Sequence, residues 1–151
     1  MGVEIGQLYL RRSAFIKAAP ERVWEEFLDK ERLAAWFGTG HTLDIYEPRV
    51  GGTVQLHIVM DGNEHAFGGK ILALEPGREL SFVSEWLEPS SFPPNKTTLT
   101  FRLSALNGGT HVELIDHGYE NCGEDAGQRL QEYEGGWSNR HLVLLREIVE
   151  G

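Results

Sequence analysis

Cysteine is nearly absent: Cys122 is the single one in 151 residues. That excludes an internal disulfide framework and a cysteine-rich zinc site. Long hydrophobic runs are missing too; none approaches the roughly 18 residues of a membrane span, so none is expected. Positive charge is scarce, with 14 Lys and Arg against 23 Asp and Glu and a net charge of −9. The longest basic run is Arg11-Arg12, which argues against nucleic acid or an anionic membrane surface as partner. Met1 to Gly6 carry neither the basic nor the apolar part of a secretory leader, so a cytoplasmic protein is expected. There is no HExxH, P-loop, GxGxxG or GxSxG. The histidines at 41, 57, 65, 111, 117 and 141 form no short chelating pair. Even His111 and His117, which share strand parity, would lie about 20 Å apart along a strand. No metal and no cofactor are expected.

What remains is an ordinary globular composition, 40% hydrophobic and 25% charged, of a length that suits one domain over residues 1–151. Asp61-Gly62, Pro76-Gly77 and Asn107-Gly108-Gly109 are strong turn signals between alternating apolar and β-branched stretches. They predict antiparallel strands over 53–60, 64–74, 78–86, 96–105 and 110–117. Two more are expected, over 8–17 and over 41–47 before the Gly51-Gly52 turn. Residues 87–95, rich in proline, read as a loop. Pro20 opens a helix in which Val23, Trp24, Phe27 and Leu28 take helical spacing. Residues 30–36 continue as a second short helix with Asp29 as its cap. A long amphipathic helix closes the chain. Asp125 and Gln128 mark its start, and Leu130, Tyr133, Trp137, His141, Leu144, Leu145 and Ile148 form its apolar face. Only that helix is long enough to cover one face of the sheet. The expectation is an α+β protein with an antiparallel six- to seven-stranded sheet wrapped around the C-terminal helix.

Four stretches, in order, resemble the START-like, or SRPBCC, superfamily. Ala19-Pro20-Glu21-Arg22-Val23-Trp24 is similar to its "APxxVW", and Leu33-Ala34-Ala35-Trp36-Phe37-Gly38 to its "LxxWFG". Pro48-Arg49-Val50-Gly51-Gly52 is similar to its "xRxGG" turn, and Gly135-Gly136-Trp137 with Leu144 to its "GGWxxxLxxL" ending. The likeness runs from Leu8 to Ile148 and is nearest the branch related to the activator of heat-shock protein 90 ATPase. It implies the helix-grip fold and a cavity between the sheet and the C-terminal helix. Two positions depart from the family pattern: His141, where leucine is frequent, and Asp116, near which histidine is frequent.

The aromatics point to the same seam. Phe82, Trp86 and Phe101 alternate with polar neighbours on strands, while Tyr133 and Trp137 lie on the helix face that would meet them. Such residues either fill a seam or line a pocket. Trp24 is expected in plain core, and Trp36-Phe37, ahead of a glycine and outside the sheet, at a pocket mouth. His141, one turn after Trp137, should face the seam as a ligand contact or as a core histidine bonded to a neighbour. Asp116 is in phase with Val112 and Leu114, but its place at the strand end favours solvent. An Asp116–His141 pair would need the two to meet. Ser84 completes the polar candidates. The first reading is a non-catalytic protein holding a small hydrophobic or aromatic molecule, as a monomer or homodimer. The second is a protein-interaction module resembling the co-chaperone branch, with a chaperone or other protein as partner. The third is a cyclase- or hydrolase-like enzyme using the polar cavity residues.

Overall fold

The computed structural model describes residues 9–38, 40–88, 96–120 and 139–151. Seven strands form one antiparallel sheet: β1 (Tyr9–Ile16), β2 (Thr42–Tyr46), β3 (Thr53–Met60), β4 (Asn63–Glu75), β5 (Glu79–Trp86), β6 (Lys96–Leu106) and β7 (Gly109–His117). Their order is β1-β7-β6-β5-β4-β3-β2. Strands β2 to β7 are thus a meander, and β1 adds to its far edge beside β7.

Turn chemistry sets the register. Asp61 (φ 54°) and Gly62 (φ 78°) join Met60 to Asn63, which face each other in the ladder. Asn107 (φ 48°) and Gly108 (φ 79°) do the same for Leu106 and Gly109. Two central residues at positive φ match the twist of the flanking strands. With register fixed, alternation sends Leu56, Phe67, Ile71, Leu80, Phe82, Leu99, Phe101, Val112 and Leu114 to one buried face. Two irregularities interrupt the ladder, between Leu43 and Ile45 and between Ile71 and Ala73. The first leaves Asp44 beside His57 on the outer face, with Oδ2 2.7 Å from Nδ1.

The long connection from β1 to β2 covers part of the inner face. Pro20 opens α1 (Pro20–Trp24), which tightens into a 3₁₀ turn over Glu25–Phe27. The expected single helix therefore changes pitch, and Leu28 ends up 48% exposed rather than on the apolar face. Asp29 then caps α2 (Lys30–Phe37), its carboxylate accepting from the Arg32 amide at 2.9 Å. Trp24 is buried, its ring stacked 4.8 Å from that of Phe27. The described part of the C-terminal helix, α3 (Arg140–Glu150), packs against α2 and β1 and buries His141, Leu142 and Leu145. Leu142 was not on the expected face. Leu130, Tyr133, Trp137, Gly135-Gly136 and Cys122 lie outside the described residues. Among the described residues, no helix is long and apolar enough to cross a membrane.

The Asp29 cap gives a first prediction. Asp29→Ala should cost about 1 kcal/mol in a urea unfolding curve with an unchanged slope.

Candidate functional site

Helix α2 has eight residues, and its last turn carries two large rings, Trp36 and Phe37. Both are fully buried, which corrects their expected place at a pocket mouth. The cause is the direction of the helix: the chain stops at Gly38 over the sheet's inner face, so the last turn points into the protein. Phe27, Trp36, Phe37 and Phe101 form one aromatic body. Phe101 lies 5.2 Å, centroid to centroid, from both Trp36 and Phe37, edge to face, and Phe27 lies 5.7 Å away. Phe82 joins through Phe37 at 6.3 Å. These distances suit favourable ring contacts and leave this half of the seam filled. Two hydrogen bonds fix the assembly. Trp36 Nε1 donates to the Glu26 carbonyl at 3.1 Å, and the Tyr46 hydroxyl to the Phe27 carbonyl at 2.7 Å.

A helix leaves its last carbonyls without partners inside the helix. Here those of Trp36 and Phe37 open into the interior, and two histidines meet them. His141 Nδ1 lies 3.4 Å from the Trp36 oxygen. His41 is hydrogen-bonded to the Phe37 carbonyl. The two imidazoles are 5.4 Å apart, and both lie against Phe37, at 5.2 Å for His41 and 5.6 Å for His141. The His41 pKa is pulled down to about 4, by burial first and by His141 second, partly opposed by the bond to Phe37. His41 therefore stays neutral at pH 7.

From His41 the rings run on to the other end of the sheet. Phe67 lies 5.8 Å from His41, Trp86 5.3 Å from Phe67 and His65 6.4 Å from Trp86. Trp86 is half-buried. Ser84 on β5 and Thr97 on β6 are buried opposite each other, with Thr97 Oγ1 3.4 Å from the Ser84 carbonyl. The interior thus has an apolar filled half around Phe27, Trp36 and Phe101, and a half with polar ring atoms around His41, His141, Phe67 and Trp86.

Asp116 is only 2% exposed, against its expected place in solvent. Strands β1 and β6 flank it with Leu10 and Leu99, and the Tyr119 hydroxyl donates to its Oδ2 at 2.5 Å. The backbone turns at Gly118, φ 100°, which folds Tyr119 back beneath the strand end. His141 instead meets α2, so the observed partners of Asp116 and His141 are Tyr119 and Trp36. Tyr133 and Trp137 are not described. His41 and Tyr119 were missed as site residues. A tyrosine three positions after an inward aspartate is a faint local signal; His41 carries none, because its partners sit on α2 and α3.

A concave groove of about 440 Å³ lies elsewhere, lined by Pro20, Glu21, Glu75, Arg78, Glu79 and Arg102. It opens at the Glu79 end of β5, about 23 Å along the strand from Trp86. Four of its five charged side chains pair, Arg102 with Glu79 at 3.3 Å and Arg78 with Glu75 at 3.6 Å. Among the described residues, no cluster of three His, Cys, Asp or Glu side chains is placed to hold a metal ion.

Comparison with known proteins places the architecture. The family model for activator of Hsp90 ATPase homolog 1-like proteins matches residues 17–150. The chain belongs to that family. Protein CV1439 from Chromobacterium violaceum is 27% identical, with 95% of this chain and 97% of that one covered and a TM-score of 0.70. Protein Ms6760 from Mycobacterium smegmatis superposes at 0.72 with 20% identity, covering 97% and 94%. The Aha1 dimer from Colwellia psychrerythraea matches at 0.59 with 18% identity, covering 94% and 96%. No curated protein matches the chain. The family assignment accounts for the helix-grip architecture: an antiparallel sheet, two short helices after β1, and a helix at the C-terminus.

Two predictions follow from the site's packing and charge. Phe37→Ala removes the ring shared by the aromatic body and both histidines and should cost about 3–5 kcal/mol in chemical denaturation. His41 is held neutral in the folded state, with its pKa lowered from 6.5 to about 4. Between those values the unfolded chain binds more protons, so stability is full above pH 6.5 and falls as pH drops towards 4. The loss should reach about 3 kcal/mol, and His41→Phe should flatten that part of the stability–pH curve.

Proposed function

We propose that this protein binds a small hydrophobic or aromatic molecule between the inner sheet face and the C-terminal helix. The site is the half of the seam bounded by Trp86, Phe67, His41 and His141. The observation that carries this reading is the division of the interior. Rings fill the seam around Phe101, whereas the other half combines aromatic walls with two imidazoles and a half-buried Trp86. Apolar walls with a few convergent polar groups are the usual character of a small-molecule site. Trp36, Phe37 and Phe101 then act as the floor of the site, and Ser84 lies on its sheet side. The function needs no cofactor and no covalent step.

A second reading is a protein-interaction module like the activators of Hsp90 ATPase. It is supported by the family match and by the structural likeness to an Aha1 dimer. The net charge of −9 would favour a basic partner surface.

NMR titration with uncharged aromatic compounds separates the two. Ligand binding predicts saturable shifts of the Trp86 indole N–H, with that of Trp24 unmoved. Trp86→Ala should weaken binding at least tenfold. A silent Trp86 across the panel, with surface amides shifting on addition of a chaperone, would favour the interaction module.

A further inference from the structure

Strand β2 is held on a short and broken ladder. It has five residues, pairs only with β3 among the described residues, and is irregular between Leu43 and Ile45. Leu43 faces Leu56 and Ile45 faces Gln55, so Asp44 is the extra residue and has no ladder partner. The side chain of that same residue makes a bond where the ladder is interrupted: Asp44 Oδ2 accepts from His57 Nδ1 at 2.7 Å. On the far side of the ring, His57 Nε2 lies 3.7 Å from Glu64 Oε1 on β4. The row therefore runs across three strands on the outer face. On the other face of β2, Leu43 and Tyr46 are buried, and His41 immediately precedes the strand.

We propose that the Asp44–His57–Glu64 row is a proton-operated clamp that holds edge strand β2 to the sheet when His57 is charged and lets it open more often when His57 is neutral. This stands whether or not the seam binds a ligand. An imidazolium carries an N–H on both nitrogens and can serve both carboxylates; a neutral ring has one and cannot. Local opening of β2 separates Asp44 from His57, whereas Glu64 stays beside the ring on β4. The charged groups that face the ring are these two carboxylates. Its register partners Thr42 and Ala66, and Gln55 and Val59 along β3, are uncharged. Glu85, opposite Gly68 on β5, is two strands away, about 10 Å, and Lys70 is four residues along β4 from Ala66, about 13 Å. The His57 pKa is raised above 6.5, first by the hydrogen bond to Asp44. The clamp is thus fully set below pH 6.5 and is lost as pH rises through the folded-state value. The His41 effect lies on the other side of pH 6.5, so the two do not overlap.

Amide hydrogen exchange read by NMR between pH 6.5 and 8.5 tests the clamp. Protection factors of the Thr42–Tyr46 amides should fall about three- to fivefold over that range, while those of Val112 and Leu114 on β7 stay level. The midpoint should coincide with that of the His57 ring signals in the same samples. Asp44→Asn and His57→Gln each remove one charge from the outer face, and either should leave β2 at the lower protection throughout, with no pH dependence. The wild-type profile decides the matter if a variant folds poorly. Level β2 protection in the wild type, a midpoint apart from that of His57, an equal loss in β7, or an unchanged pH dependence in Asp44→Asn would each overturn the clamp.

Discussion

The seating of the last turn of α2 on the inner sheet face is the interaction on which the rest depends. A sheet with Leu56, Phe82, Leu99 and Phe101 on one side must have that side covered. The β1–β2 connection does part of this with only a few short turns, so its contact has to come from large rings at few positions. Phe27, Trp36 and Phe37 supply it, meeting Phe101 at 5.7, 5.2 and 5.2 Å. Ending a helix inside the protein has a consequence: its final carbonyls need donors where water is excluded. His41 and His141 fill that need, and so the packing that closes one half of the seam also brings two imidazoles to the border of the other half.

That border is where the proposed ligand site begins. The filled half gives rigidity, which a binding site needs in its supporting groups. The half with polar ring atoms reuses the same helix end as its chemical wall. Asp116 and Tyr119 form a separate buried pair beneath the end of β7, and His57 with Asp44 lies on the outer face. There, the hydrogen bond that His57 donates to Asp44 is the main cause of a raised His57 pKa. Neither pair belongs to the seam built around Phe37.

Much of the architecture was legible because it is local. Asp61-Gly62 and Asn107-Gly108 each demand positive φ at two successive residues, and the strands beside them fell within a residue or two of expectation. For β3 the bounds agreed at Thr53 and Met60. The Asp29 cap is equally local, a side chain reaching an amide three residues on. The site was harder because it is not local. Nothing in an eight-residue helix says which way its last turn will point, so Trp36 and Phe37 were expected at a rim and lie in the core. Asp116 was misplaced for a similar reason: exposure at a strand end depends on Tyr119 folding back. His41 and His141 are a hundred positions apart and meet only through α2, so no spacing in the sequence announces them. The family resemblance was readable from short motifs spread along the whole chain, and the match to residues 17–150 agrees with it.

The protonation state of the two histidines tests this account most directly. Long-range proton–nitrogen NMR correlation on the folded protein at pH 7 reads which ring nitrogens carry hydrogen. The account predicts a single N–H on the His41 ring, and on His141 a hydrogen at Nδ1, facing the end of α2. A doubly protonated His41 ring, or a His141 Nδ1 without hydrogen, would contradict it.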